Sequence, residues 1–585
     1  MSVFAAVASF RGDTTISLPT SCVAALRLPG ASSAVSERAS GYACAGASTG
    51  WRAPAIHVLG EVIVTGDVRL DARADLRRAI RETPGALLAK RAAPGESGDL
   101  ALVHAAYAAW GVAAVERLRG DFSFALWDGA TGTFVAARDG LGVRPLYYAS
   151  IPGGICVSNT LDAVRAHPAV TGGLNVGAVV SFLEITWNRD LATTTFSAIA
   201  RLPPGTMLRR LPGQHAASVD VHWTMPDPSP LEYRREADYV EHYRALLDEA
   251  VRDRMTGPTA ILLSGGLDSP SMAATARRVA PEHLVYAQTT RMPEVESPEE
   301  ARLATAVAQR LGIAHEVREF DVVPLPGEGG RTPEPCFDFE DAANSEFVSL
   351  LGKRAPVVLV GEDGDALFSP PGMATMLRRY PPVTVLWWMI TDTIRRGHHP
   401  YLGFWLARRL RFWRPRRAPR PTWMRHPGCQ IGEPPVTHRA RPEAYQRLTS
   451  SLWQMMHQGW DRAFTGAPVE IRWPFLDSRL LEFVFAIPPV PWCQRKHLMR
   501  RAFASELPAD VIRRPKTTVP GYFELATSKW RRRTAGAVPP LSEHTKEFVD
   551  SARLIETLAT GDSEAVLAGW RALTLDRWLR DLEAA

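Results

Sequence analysis

The sequence predicts an α/β protein in two domains, and three observations carry that reading. Four short runs, at 259–263, 284–289, 314–320 and 356–361, read as strands separated by helical stretches, the pattern of a parallel sheet with helical crossovers. Ahead of them, residues 1–215 read as short strands with two helices, at 72–81 and 100–110. Between these regions Pro226, Pro228 and Pro230 punctuate residues 224–236, which read as a linker. The expected boundaries are therefore 1–223, 224–236 and 237–585, and each domain is long enough to bury its own core.

Within the first domain, alternation of Phe122, Phe124 and Leu126 fits a half-buried strand. The second domain opens with an expected amphipathic helix over 239–255, whose stripe is Val240, Tyr243, Leu247, Val251 and Met255. The strand at 259–263 then runs into Ser264-Gly265-Gly266-Leu267-Asp268-Ser269, followed by a helix over 270–280. Small residues at a helix N-terminus aim backbone N–H groups and the positive helix end at one spot, which attracts phosphate. The glycines allow close approach, the serines add hydroxyl donors, and Asp268 offers Mg²⁺ a hard oxygen. No lysine follows, so this is not the phosphate loop of kinases and GTPases. Its form resembles the loop of enzymes that cleave ATP between the α- and β-phosphates.

A second apolar strand, at 356–361, ends in Glu362-Asp363-Gly364-Asp365. Three acids so close repel one another unless a cation or a substrate joins them. If the two strands are neighbours, Asp268 and Asp365 can share Mg²⁺, beyond the carboxyl ends where such sheets bind ligands. Basic clusters follow at Arg472, at Lys496 to Arg500, and at Arg513, Arg514 and Lys516.

Composition narrows the class. Apolar and charged fractions of 46% and 22% describe an ordinary globular protein, and a net charge of +6 over 585 residues does not demand nucleic acid. Cys22, Cys44, Cys156, Cys336, Cys429 and Cys493 are scattered without a Cys-x-x-Cys pair, which predicts reduced thiols in a cytoplasm and no zinc site. No signal peptide is apparent, and the apolar run at 383–390 is far too short to span a bilayer, so no membrane insertion is expected. The stretch from about 380 to 425 is rich in Trp and Arg: Arg408, Arg409, Arg411, Arg414, Arg416, Arg417 and Arg420 interleave with Phe404, Trp405, Phe412 and Trp413. Three readings stay open for it: an amphipathic helix with solvated arginines, a docking surface for a peptide or partner protein, and nucleic-acid binding.

Taken in order, these motifs resemble those of asparagine synthetase and its relatives along nearly the whole chain. That family's Ser-Gly-Gly-x-Asp-Ser, Gly-Glu-Gly-Gly-Asp-Glu, Arg-x-Pro-Phe-Leu-Asp, Lys-x-x-Leu-Arg and Arg-x-Lys segments all have counterparts here. The runs Leu118 to Asp128 and Arg138 to Tyr148 resemble its glutaminase domain, and Leu202 to Gly205 with His222 and Trp223 resemble its closing segment. The resemblance implies a layered αββα N-terminal domain of the N-terminal-nucleophile type and a C-terminal synthetase domain of the ATP-pyrophosphatase type. The departures matter as much. A glutaminase of this kind needs a cysteine at the mature N-terminus, whereas this chain begins Met1-Ser2-Val3-Phe4, and the Arg-His-Arg-Gly stretch is missing from residues 23–60. The N-terminal domain is therefore read as a retained fold without glutaminase activity, with the nitrogen nucleophile supplied by the substrate.

Two branches of the family lack that cysteine: the β-lactam synthetases and the lasso peptide cyclases, which join a peptide's N-terminal amine to an Asp or Glu side chain. Glu362 at the position of the β-lactam enzymes' tyrosine, together with the long Trp- and Arg-rich stretch, favours the second. The resemblance then implies ATP and Mg²⁺ as cofactors, a precursor peptide as substrate and a leader peptidase as partner. ATP is expected against Leu262, Gln288, Val360 and Gly361, with its phosphates on Ser264, Gly265, Gly266, Leu267, Asp268, Ser269, Lys496 and Arg500. Asp268 and Asp365 are the expected metal ligands, Glu362 the base and Lys516 the oxyanion stabiliser. Asparagine formation from ammonia, β-lactam closure and an inactive ATP-binding scaffold remain the alternatives.

Overall fold

The computed structural model describes residues 2–11, 16–26, 34–49, 55–84, 98–320, 331–336, 348–396, 420–428, 438–467, 469–515, 521–534 and 537–584. Lys516, Cys429 and most of the Trp- and Arg-rich stretch lie outside these residues.

The first part of the chain forms two antiparallel sheets. One contains β1 (Ser2–Ser9), β2 (Val35–Ala39), β3 (Tyr42–Ser48), β8 (Tyr147–Ile151), β9 (Gly154–Ser158) and β10 (Ala200–Arg201), in the order β10-β8-β9-β1-β3-β2. The other contains β4 (Ile56–Leu59), β5 (Val62–Leu70), β6 (Gly120–Asp128), β7 (Thr133–Arg138), β11 (Thr206–Arg210) and β12 (Ser218–Val221), in the order β12-β11-β7-β6-β5-β4. Phe4, Ala6 and Tyr42 of one sheet meet Ile63, Ala125, Trp127 and Phe134 of the other in a common core. On the far side of the second sheet Val64, Val68, Phe122, Phe124 and Leu126 pack on helices Arg73–Glu82 and Asp99–Trp110. Phe122, Phe124 and Leu126 thus share one face as their alternation requires. The strand is nevertheless buried on both faces, because a sheet covers its other side. Helices cover the first sheet as well, since Val7 and Cys156 pack with Val179, Val180 and Leu183 of helix Val176–Ile185. The result is an αββα sandwich.

The third sheet is parallel throughout. It holds β13 (Thr259–Leu262), β14 (Leu284–Arg291), β15 (His315–Glu319), β16 (Val357–Leu359) and β17 (Glu470–Arg472), in the order β15-β14-β13-β16-β17. The first four match the strands read from the sequence. The fifth was not read there, since Glu470-Ile471-Arg472 is only three residues long and mostly charged, yet all three residues are buried. From β13 the chain first builds outward through β14 and β15, then returns to add β16 and β17 on the other side. The crevice between the ends of β13 and β16 is therefore a topological switch point, where open α/β sheets bind ligands. Helix Glu236–Arg254 supports this sheet with Tyr243, Leu247 and Val251, and its last residue, Arg254, is fully buried although its charge predicts exposure.

Arg254 is explained by what surrounds it. Its Nη1 lies 3.0 Å from Asp71 of the sandwich and 2.9 Å from Asp477, which follows β17. Arg69 extends the network, 2.5 Å from Asp71 and 2.8 Å from Asp121. In parallel, Arg144 of the sandwich is 2.6 Å from Glu470, which also receives Arg472 at 2.9 Å. Burial pushes the Asp71 carboxyl up, but the Arg254 and Arg69 guanidiniums outweigh it and hold it below the usual carboxylate range. A second bond between the two parts is apolar: Trp570 and Leu575 of helix Ser563–Glu583 pack against the sandwich helix that carries Phe182 and Leu183. Among the described residues Cys22, Cys44, Cys156, Cys336 and Cys493 form no disulfide, and no helix is long and apolar enough to cross a membrane.

Two stability predictions follow from buried charge. Arg254→Met leaves Asp71 and Asp477 short of a countercharge, so urea unfolding should show a loss of about 3–5 kcal/mol. His457, on helix Ser451–Gly459, is buried between Trp453 and Trp473 with neither ring nitrogen hydrogen-bonded, and burial pushes its imidazole down to about 3. The unfolded chain therefore takes up a proton near pH 6.5 that the folded chain refuses, and stability falls as pH drops below that value. From pH 7 to pH 5 the loss should be about 2 kcal/mol from this residue, and His457→Phe should remove that part of the slope in urea titrations at the two pH values.

Candidate active site

The loop after β13 and the turn after β16 meet at the switch point. Leu263 still donates its N–H to the Gln288 carbonyl at 2.8 Å, which carries the ladder to the edge of the loop. The loop then turns on its own hydroxyls. Ser264 N–H donates to Ser269 Oγ at 2.8 Å, the two Ser Oγ atoms lie 2.9 Å apart, and Gly266 N–H reaches Ser264 Oγ at 3.2 Å. Helix Asp268–Val279 begins immediately, two residues earlier than its sequence pattern suggests, so Asp268 and Ser269 stand in its first turn. Gly361 must be glycine: a Cβ there would lie 2.6 Å from the Ser269 nitrogen, and this close approach locks the two loops together. A Cβ on Gly364 would likewise sit 2.7 Å from the Asp268 carboxylate.

These contacts bring Asp268 and Asp365 to one point, and Lys496 joins them. Its Nζ lies 2.5 Å from Asp268 Oδ2 and 2.5 Å from Asp365 Oδ1. The backbone gives way to achieve this, since Arg495 and Lys496 both adopt left-handed conformations, with φ of 46° and 56°. For side chains with a Cβ that costs about 1–2 kcal/mol per residue, a strain of the kind concentrated at functional sites. Two carboxylates around one positive charge form a hard-oxygen donor set that fits Mg²⁺, which is held by one or two carboxylates and keeps several waters.

Around this point opens a cleft of about 1740 Å³. Leu262, Ser264, Gly266, Leu267, Asp268, Ser269, Gln288, Val360, Gly361, Glu362 and Asp365 all line it, so the structure gathers most of the residues singled out in the sequence. Gln288 is 2% exposed, and its Nε2 has no hydrogen-bond partner, a buried donor that suits a nucleobase acceptor. Arg500 goes elsewhere: its guanidinium donates to the carbonyls of Arg495, Ile512 and Arg514, which ties two segments together, and it is not among the residues that line the cleft. The chain leaves the described residues just past Pro515, at the rim, one residue before Lys516.

One residue of the site escapes the sequence reading, and two that it noted take places it did not foresee. Glu300, in helix Pro298–Leu311, accepts the Gly265 N–H at 2.8 Å, and Arg514 holds its other oxygen at 2.5 Å. A carboxylate thus takes the place a phosphate oxygen would need on that N–H. Only a Pro-Glu-Glu helix start marks Glu300 in the sequence, and this is a common surface pattern. The third is Asp363, which has a φ of 79°, is 4% exposed, and has no partner on either carboxylate oxygen. Burial pushes its carboxyl well above the usual range, and the neighbouring Glu362 and Asp268 charges push it further.

The far wall differs in character. Leu452, Trp453, Met456 and Trp460 come from helix Ser451–Gly459 and its end, Met292 and Val295 from the segment after β14, and Trp187 from the sandwich. Trp187 is pinned by its indole N–H on Ser451 Oγ at 3.1 Å. The cleft therefore has a polar, nucleotide-suited side and an aromatic side.

Comparison with known proteins agrees with this geometry. Residues 242–580 match the family described as asparagine synthase, and residues 85–222 match a glutamine amidotransferase domain. An asparagine synthetase (glutamine-hydrolyzing) 3 of Bacillus subtilis is 24% identical over 73% of this chain and 72% of its own length. A putative asparagine synthetase of Mycobacterium tuberculosis is 28% identical over 50% of this chain and 45% of its own, and the amidase chry2 of Gibberella zeae 28% over 52% and 47%. The chain thus spans about half the length of the latter two. With the match covering more than half of its residues, the chain belongs to the asparagine synthase family and is an asparagine synthetase-like, ATP-dependent amide ligase.

Proposed function

We propose that the protein is a macrolactam-forming peptide ligase of the lasso cyclase kind. It activates an Asp or Glu side chain of a precursor peptide with ATP and lets the peptide's own N-terminal amine close the ring. The observation that carries this reading is the cleft. Small-molecule sites usually measure about 300–1,000 Å³, and this one has room for a nucleotide and a peptide segment against a wall of Trp187, Trp453 and Trp460. Free aspartate would leave that wall without a partner. The sandwich supports the same view: β1 opens with Ser2 in place of a cysteine, its N–H held by Asp67 at 3.0 Å and its carbonyl by Asn159 at 2.9 Å.

In this reading residues 1–223 are a degenerate glutaminase-like domain and 237–585 the synthetase domain. Leu262, Gln288, Val360 and Gly361 seat the adenine, while the Ser264–Ser269 loop and Lys496 hold the phosphates. Asp268 and Asp365 hold Mg²⁺, which neutralises phosphate charge when bound. The peptide carboxylate displaces pyrophosphate from the α-phosphate, and the amine then displaces AMP from the acyl carbon. A peptide amine has a pKa of about 8, so a base must take its proton, and Glu362 lines the cleft for that task. Lys516, one residue beyond the cleft rim, would stabilise the oxyanion. A leader peptidase is the expected partner, since the amine must first be freed.

The reaction is tested by incubating the protein with Mg²⁺, ATP, the leader-free peptide encoded beside it and the companion protease. The expected outcome is a product lighter by one water and an equal amount of AMP. An unchanged peptide with AMP formed from aspartate and ammonium instead would replace this reading with asparagine formation. Asp268→Asn should reduce ATP–pyrophosphate exchange about 100-fold or more while leaving the thermal unfolding midpoint intact. Undiminished exchange would remove Asp268 from the metal site.

A further inference from the structure

Four acids stand between the end of β14 and the first turn of helix Pro298–Leu311, and three of them have a base. Glu294 pairs with Lys529, Glu299 with Arg302 at 2.7 Å, and Glu300 with Arg514 at 2.5 Å. Glu296 has no such partner among the described residues. Its Oε2 accepts the Met292 N–H at 2.9 Å and closes that turn, which leaves Oε1 without a bond in the cleft that Glu296 lines. Arg291, whose charge reaches Glu296, is itself held by Glu319 at 2.5 Å. Burial pushes the Glu296 carboxyl up and the Glu300 charge adds to this, although the Met292 N–H opposes them. A partly buried carboxylate with no countercharge is costly, so its place in the cleft calls for a reason. The positive end of the helix does not supply one, because Glu299 and Glu300 already occupy the first turn.

The neighbours of Glu296 say what would complete it. Glu300, four residues on, accepts the Gly265 N–H of the loop after β13 at 2.8 Å, so Glu296 stands about one helical turn from that loop. Met292 and Val295 line the cleft beside it, an apolar flank around a single negative charge. We propose that Glu296 is the seat of the substrate's amine: it binds the N-terminal ammonium of the peptide and holds it beside the carboxyl that is being activated. This rests on the cyclase reading above and adds to it a residue that decides which peptide ends are accepted. An amine with a pKa of about 8 is mostly ammonium at neutral pH, so it brings the charge that Glu296 lacks. A metal ion fits less well, because a divalent cation takes several hard oxygens and the neighbouring acids are already paired.

The test is ATP–pyrophosphate exchange by the full chain with its companion protease. It is measured with the leader-free peptide and with the same peptide acetylated at its N-terminus, which can be adenylated but cannot close. In the wild-type protein KM should be about tenfold or more higher for the acetylated peptide, because a hydrogen bond between charged groups is lost. In Glu296→Gln, which can still accept the Met292 N–H, the two KM values should converge, and Glu296→Asp should restore part of the difference. A ratio taken within one protein does not depend on how much of it folds. If Glu296 only shaped its own turn, the substitution would move both KM values together and keep their ratio. That result, or equal KM values in the wild-type protein, would overturn the amine seat and leave the cyclase reading standing. Exchange with neither peptide in the wild-type protein would overturn the cyclase reading, and the seat with it.

Discussion

The buried guanidinium of Arg254 holds the molecule in register. It sits where the sandwich, the first helix of the synthetase part and the end of the parallel sheet meet, and it takes a carboxylate from each side. Arg144 and Arg472 repeat the arrangement on Glu470, one strand-length away. Charges this deep are worth little as net stabilisation, because desolvation consumes most of the attraction. Their value lies in direction, since a guanidinium fork donates to carboxylates in its own plane. The short fifth strand is fixed from both ends by these pairs, and its neighbour β16 carries the acidic turn into the site.

This constraint also explains what could be read from the sequence and what could not. Four of the strands, the loop after β13 and the acids after β16 were legible, because the alternation of strands with helices and clustered glycines and acids depend on near neighbours alone. Strand β17 was not, since Glu470 and Arg472 look like surface until the partners Arg144 and Arg254's backbone carbonyl are placed around them. Glu300 escaped for the same reason, and the pairing of Arg514 with it could not be read either. The resemblance put Arg500 on the phosphates, yet the carbonyls of Arg495, Ile512 and Arg514 claim it. Charge in a sequence announces that a partner is needed; only the fold names the partner.

Residues 85–222 of the sandwich match a glutamine amidotransferase domain, and Trp187 among them lines the cleft. The N-terminal part thus shapes the second domain's cleft, which gives its packing a purpose that does not depend on a nucleophile in β1.

Lys496, held between Asp268 and Asp365, makes the protein its own counter-ion. On the proposed function, arrival of a divalent cation would be an exchange of one positive charge for another, and the displaced ammonium would need an anion to go to. A cation alone would strand the lysine, and a polyphosphate alone would face two carboxylates. The two would then be admitted more easily together than apart, which would make the site selective for a metal–nucleotide pair before any contact with the base has formed.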